Sequence, residues 1–414
     1  MKNQKNSMMP ILIIGALFFI FGFITWLNGV LIPYLKIACE LNHFESYLVV
    51  FAFYISYFIM AIPSSFVLQK SGFKKGMMIG LIIMALGAVL FIPAAMTRTY
   101  WMFLCGLFVL GTGLALLQTA ANPYVTIVGP IESAAKRISI MGVSNKIAGV
   151  LAPLLLSYFI MKDGDAVQDT LASLSEAAKV PFLDELASRV IIPYVFIAVS
   201  LLILAVLIKF SSLPDIDEEE DEEHKQDHDR IFNYPYLFLG VIALFLYVGV
   251  EVLAADTIIS YGLWNKIPFN SAKFFTSVTL SGMIIGYFIG IASIPKYISQ
   301  NKALMISAIS GLLFSTMAIV TTSWTSVSFI ALLGLSNAIM WPAIWPLAIG
   351  GLGKYTKLGS SFLIMAVAGG AVMPLIYGML SDAFNPQLAY LINIPCYLFI
   401  LYFAVSGYKV GRKV

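Results

Sequence analysis

Charge is what this chain has least of. Only 11% of its 414 residues are Asp, Glu, Lys or Arg, where a soluble globular chain carries about 25%. A chain of this length with so little charge is not an ordinary soluble enzyme. Cysteine is scarce too: Cys39, Cys105 and Cys396 lie far apart, which excludes a disulfide framework and a zinc-ligand spacing. The three histidines, His43, His224 and His228, fall in segments read as loops, so they read as solvated side chains and not as metal ligands. Phosphate-binding and metal-binding motifs are missing, and no loop offers a paired catalytic constellation, so no enzymatic activity and no cofactor are expected. Basic residues are scattered, which excludes a nucleic-acid surface.

What remains is apolar: 60% of residues are hydrophobic and the mean hydropathy is +0.90. At roughly 20 residues per crossing, the runs predict helices at 11–32, 46–68, 76–95, 101–126, 138–160 and 191–208, then at 235–261, 274–294, 303–320, 327–349, 359–380 and 388–405. The runs are continuous, without the alternation of a lipid-facing β-barrel. Lys2 and Lys5 precede a run too long for a signal peptide and lacking a cleavage site, so it reads as a retained first span. The expected class is an all-α polytopic membrane protein of twelve transmembrane helices. An even number of spans puts both termini on one side, and 17 of the 25 basic residues fall in the loops of that side, against seven opposite. Both termini are therefore expected in the cytoplasm.

The acidic run Asp215-Ile216-Asp217-Glu218-Glu219-Glu220-Asp221-Glu222-Glu223 cannot pack in lipid and reads as a solvated linker. It divides the chain into a six-helix half at 1–210, a linker at 211–233 and a second half at 234–414. The segment 161–190 places Leu171, Leu174, Ala178, Phe182 and Leu186 at roughly helical spacing, and is expected to lie on the membrane surface. The halves repeat: Gly22 matches Gly249, Tyr57-Phe58-Ile59 matches Tyr287-Phe288-Ile289, Gly111 and Pro123 match Gly334 and Pro346, and Gly149 and Pro153 match Gly370 and Pro374. Two parallel, pseudo-symmetric six-helix halves resemble the major facilitator architecture, which places its substrate site near the midplane between them.

Three charges fall inside the spans: Lys146, Glu251 and Asp256. Each costs about 2.5–3.5 kcal/mol or more in lipid and is expected to face the bundle interior. One cation against two anions leaves a negative charge to be protonated, paired with a cation or hydrated, which marks the three as candidates for ion coupling. The alternative is a static salt bridge, most plausibly Lys146 with Glu251. Neutral amides share the layer: Asn28, Gln118, Asn122, Asn145 and Asn337. Each offers donors and acceptors together, which suits a ligand made of hydroxyls, and Trp26, Trp264, Trp341 and Trp345 add flat apolar faces.

The stretches Leu117-Gln118-Thr119-Ala120-Ala121-Asn122-Pro123-Tyr124-Val125-Thr126, Leu27-Asn28-Gly29-Val30-Leu31-Ile32-Pro33 and Tyr355-Thr356-Lys357-Leu358-Gly359-Ser360-Ser361-Phe362 resemble the L-fucose/proton symporter family, most closely its glucose/galactose transporter branch. Gln69-Lys70-Ser71-Gly72-Phe73-Lys74-Lys75 also resembles the loop motif of the superfamily, with Gln69 where an acid is usual. The resemblance implies a monomeric bacterial inner-membrane protein that imports a neutral hexose (glucose, galactose or fucose) by alternating access, driven by a proton or sodium gradient. Asn28, Trp26, Gln118, Asn122, Asn145, Asn337, Trp341 and Trp345 would then contact sugar, and Glu251, Asp256 and Lys146 would carry coupling. The resemblance breaks where the family has its acids, since Gly29 and Gln118 replace a titratable Asp and Glu. Gly29 falls on Asp256 in the repeat, so the missing acid reappears in the second half. An exporter or antiporter of the same fold, and a non-transporting sugar sensor acting through the linker, are the rival readings.

Overall fold

The computed structural model describes residues 8–127, 134–162, 164–211, 231–294, 296–352 and 355–412. Most of the acidic linker lies outside the described residues. Twelve helices are long and apolar enough to cross a membrane: α1 Leu12–Ala38, α2 His43–Ser64, α3 Lys70–Met96, α4 Tyr100–Ala121, α5 Met141–Ile160, α6 Glu176–Phe210, α7 Pro235–Asp256, α8 Phe269–Ser293, α9 Gln300–Val320, α10 Ser323–Ile349, α11 Ser361–Ala383 and α12 Pro386–Val405. No strand occurs among the described residues. Helices dominate because lipid offers nothing to a free N–H or C=O, and a helix satisfies both within itself. Where α2 passes into α3 the chain bends at Gly72, whose φ of 74° is one that glycine adopts without strain.

The repeat seen in the sequence has a physical cause. A Cβ on Gly111 would lie 2.3 Å from the Phe53 carbonyl oxygen, so α4 touches the backbone of α2; a Cβ on Gly334 would lie 2.0 Å from the Thr279 carbonyl oxygen, so α10 touches α8 in the same way. Gly22 likewise seats α1 against Asn145 of α5, and Gly249 seats α7 against Met373 of α11. The matched glycines lie at close contacts of matched helix pairs. In lipid, helices associate largely through such close packing, because burial of apolar surface gives little drive there.

The segment 161–190 forms helices at Gly164–Ser173 and Glu176–Ser188, with Leu183, Leu186 and Ala187 buried within the protein and Leu171, Leu174, Ala178 and Phe182 partly exposed. Tyr34 at the end of α1 donates its hydroxyl to the carbonyls of Leu186 and Ala187, at 2.7 and 2.9 Å. Arg98, before α4, pairs with Asp184 at 3.3 Å. The apolar side of this segment is covered because the ends of α1 and α3 supply polar partners for it.

From mid-depth to the end of the bundle opposite the termini the two halves touch. Ser277 of α8 donates to the Val150 carbonyl of α5 at 2.6 Å, Tyr47 of α2 meets Tyr377 of α11 edge-on at 5.4 Å between centroids, and Phe269 of α8 lies against Gly164. Toward the termini the space opens. Gly142, Lys146 and Gly149 share one face of α5; a Cβ on Gly149 would strike Trp26 at 2.3 Å, while a Cβ on Gly142 would meet nothing within 4 Å. The consequence is measurable. Replacing Gly111 or Gly334 with Ala is expected to cost roughly 1–3 kcal/mol or more through forced backbone separation, lowering the unfolding temperature in detergent, whereas Gly142→Ala gains up to about 1 kcal/mol of helix propensity and leaves it unchanged or raised.

Candidate functional site

Three spans, α1, α10 and α11, lose regular helix within their length and α7 breaks at its end, and three of the four breaks are explained by neighbouring residues. In α1 the break is at Trp26 and Leu27, between helices Met8–Thr25 and Asn28–Ala38; the Asn28 amide donates to the Thr25 carbonyl at 3.3 Å. In α7 the break follows Asp256, at Thr257. There the Ala255 carbonyl accepts from the Thr276 hydroxyl at 2.6 Å and the Ala254 carbonyl from Thr279 at 3.5 Å, both from α8. In α10 the break follows Asn337, where Pro342 lacks the N–H that would reach the Ala338 carbonyl. In α11 three residues, Ala366–Ala368, tighten to a 3-10 turn. Broken helices at mid-depth are tolerated where the freed groups are buried in protein or line a cavity.

Between the broken helices the two halves share an ion pair. Lys146 Nζ of α5 lies 2.8 Å from Glu251 Oε1 of α7, with the side chains only 8% and 11% exposed. The same ammonium sits 4.4 Å from the centre of the Trp26 ring, a cation–π contact that desolvation strengthens. One helical turn before Glu251, Tyr247 lies 6.3 Å from Trp341 of α10, which stacks on Trp345 at 5.5 Å. Trp341 and Trp345 are partly exposed. Trp26, Lys146, Glu251, Trp341 and Trp345 thus form one wall-to-wall group spanning α1, α5, α7 and α10.

Asp256 is different. It is wholly buried, and neither carboxylate oxygen has a hydrogen-bond partner among the described residues. Close by, Trp26 packs in one cluster with Ala255, the residue before Asp256, and a Cβ on Gly29 would lie 3.4 Å from the Ala255 carbonyl. Gly29 of the first half therefore lies against Thr276 and the residue before Asp256 in the second. Trp26 Nε1, a donor, and Asn28 Oδ1, an acceptor, are also buried without partners. Unpaired buried polar groups of both kinds are expensive unless a ligand or water completes them.

The other sequence candidates separate. Asn145 is partly exposed beside Lys146 and donates to the Phe18 carbonyl at 3.4 Å. Gln118 is partly exposed on α4. Asn337 is fully buried, accepting from the Tyr397 hydroxyl at 2.8 Å and donating to the Val250 carbonyl at 3.5 Å, so its amide joins α10 to α12 and α7. The side chain of Asn122 lies outside the described residues. Trp264 stacks on Tyr261 near the end of the bundle opposite the termini, away from the ion pair. Thr276, Thr279 and Tyr247 are not among the candidates read from the sequence; the hydroxyls of Thr276, Ser277, Thr279 and Ser281 within one short stretch of α8 are the available signal.

Twelve spans in two repeated halves, broken near mid-depth around a polar group, define a secondary-transporter fold. The chain belongs to the Major Facilitator Superfamily, whose family model matches residues 14–362. It is 35% identical to a glucose/galactose transporter of Brucella abortus, covering 99% of this chain and 96% of that one. It is 30% identical to the L-fucose-proton symporter of Escherichia coli, covering 97% and 94%. The crystal structure of the transporter FucP in the outward conformation superposes with a TM-score of 0.74 at 29% identity, covering 99% of this chain and all of that one.

The ion pair makes a thermodynamic prediction. Lys146→Met or Glu251→Met alone leaves a near-buried charged partner stranded and is expected to cost about 2–5 kcal/mol. The double variant Lys146→Met with Glu251→Met is expected to recover most of that, read as unfolding temperature in detergent. Additive losses would show that the two side chains are not energetically coupled.

Proposed function

We propose that this protein imports a neutral hexose, glucose or galactose, together with a proton, and that Asp256 carries the proton. The supporting observation is the Asp256 carboxyl, fully buried at a helix break with both oxygens unpartnered. An ionised carboxylate so placed pays most of its desolvation without return, while the neutral acid does not. A proton removes that charge without needing a shell of oxygen ligands. Lys146 and Glu251 neutralise each other, which leaves Asp256 as the acid free to change state. The relatives named as a glucose/galactose transporter and an L-fucose-proton symporter support the same substrate class and ion.

The sugar would sit between the halves against Trp26, Trp341 and Trp345, with Asn28, Gln118, Asn122 and Asn145 presenting amides to its hydroxyls; Asn337 braces α7 behind them. Trp26 Nε1 and Asn28 Oδ1, one donor and one acceptor without protein partners, match a hydroxyl that donates and accepts at once. The basic bias of the loops on the side of the termini supports cytoplasmic termini, which would make the closed end the outer one and leave the site open inward. The protein is taken to act as a monomer in the bacterial inner membrane, with no cofactor beyond the coupled ion.

The test is uptake of labelled glucose and galactose into proteoliposomes under an imposed proton gradient, an imposed sodium gradient, or neither. Accumulation is expected under the proton gradient alone. With Asp256→Asn it should fall to the level without a gradient while exchange of sugar for sugar persists. Accumulation driven only by sodium would overturn the ion, and absence of flux for both sugars would overturn the substrate.

A further inference from the structure

The ion pair lies too deep to hold the ends of the halves together, and the closed end has its own polar contact. Helix α2 starts there with a capping box: the Asn42 side chain accepts from the Glu45 N–H at 2.7 Å, and the Glu45 carboxylate accepts from the Asn42 N–H at 2.9 Å. Those bonds stay within one half. The N–H groups of His43 and Phe44, next in the first turn, have no acceptor inside their helix. They donate to the other half instead, to the two oxygens of Asp382 in the last turn of α11, at 3.1 and 2.8 Å. Each oxygen takes one donor, and the carboxylate sits on the positive end of the α2 dipole.

The surroundings make the contact close. A Cβ on Gly378, one turn before Asp382, would lie 2.7 Å from the Tyr47 ring and 3.0 Å from Phe44 Cα, so α11 reaches the start of α2 because that residue has no side chain. The Tyr47 and Tyr377 rings close the layer beneath. Two charged or titratable groups on neighbouring elements face the contact: Lys36 of α1, whose Nζ lies 2.9 Å from the His43 ring, and Glu45, which is spent on the capping box. Asp382 itself is exposed, so water satisfies both partners once they separate. The contact therefore weighs on the choice between closed and open, and little on the folding of either half.

We propose that Asp382 is the latch of this face: its carboxylate spans the first turn of α2 and holds the two halves closed at the end opposite the termini, and both hydrogen bonds break each time that end opens. The proposal rests on alternating access between the halves and is independent of which sugar or ion is carried. Asp382 is a positioning residue, acting on the population of a conformation and not on the ligand.

The measurement is a distance distribution between spin labels across the closed end, in the full-length protein in lipid. Labels go on Glu185→Cys and Thr322→Cys, both exposed and on opposite halves, in a background with Cys39→Ser, Cys105→Ser and Cys396→Ala. The parent is expected to populate mainly the short distance. Asp382→Ala should raise the ratio of long to short distance roughly three- to tenfold, the scale of an anion with charge-assisted bonds at a helix N-terminus. Asp382→Asn, which keeps an acceptor but loses the charge, should fall between. His43→Ala keeps the backbone donor and should match the parent, separating the latch from the Lys36 contact. An unchanged distribution in Asp382→Ala overturns the proposal, as does an equal shift in His43→Ala or a broadened distribution accompanied by a lowered unfolding temperature. Failure of sugar uptake leaves these distances untouched, so the two ideas fail separately.

Discussion

Every free backbone N–H or C=O in the hydrocarbon core of a bilayer must find a partner inside the protein, and this constraint governs the molecule at each level. It makes the chain helical throughout the described spans. It also decides where a helix is able to break. Thr276 and Thr279 take up the carbonyls that α7 releases after Asp256, and the Asn28 amide serves the end of the first half of α1. Without these side chains the breaks beside Asn28 and Asp256 would each leave orphaned groups worth several kcal/mol.

The same economy of polar groups explains the electrostatics of the centre. Three charges lie inside the spans, and the fold brings two of them together across the halves with the Trp26 ring against the cation. The third, Asp256, has no hydrogen-bond partner among the described residues. A balanced pair is a poor vehicle for carrying charge, since moving either member strands the other. For the proposed coupling an unpaired acid is the better carrier, since one proton is enough to remove its charge.

Glycine gives the halves their likeness and their freedom. Gly111 and Gly334 bring matched helices to backbone contact inside each half, making each half a packed body. Between the halves stand the buried Lys146–Glu251 pair and, around it and toward the closed end, a serine hydroxyl on a carbonyl, ring edges and an exposed carboxylate on a helix end. Rigid halves joined by contacts that water is able to replace are what a rocking transporter needs.

How much of this was legible before folding follows from the range of each effect. Span number, the repeat and the three intramembrane charges are local matters of hydropathy and spacing, because lipid penalises each polar residue by itself; the stretches around Asn28, Gln118 and Tyr355 carried the family resemblance for the same reason. The partners of the segment 161–190 were not legible because helical spacing of apolar residues says that a face is covered without saying by what, and Tyr34 and Arg98 lie far away in sequence. Asn337 and Asn28 are the same residue type at similar depth, yet one amide is spent on Tyr397 and Val250 while the other keeps a free oxygen. By itself the sequence determined that twelve helices would form two similar halves around a few buried charges. Only the tertiary structure decided that Lys146 meets Glu251, that Asp256 stands unpaired, and that Asp382 reaches across to α2, since partnership between side chains a hundred or more residues apart depends on how helices pack and not on what either helix contains.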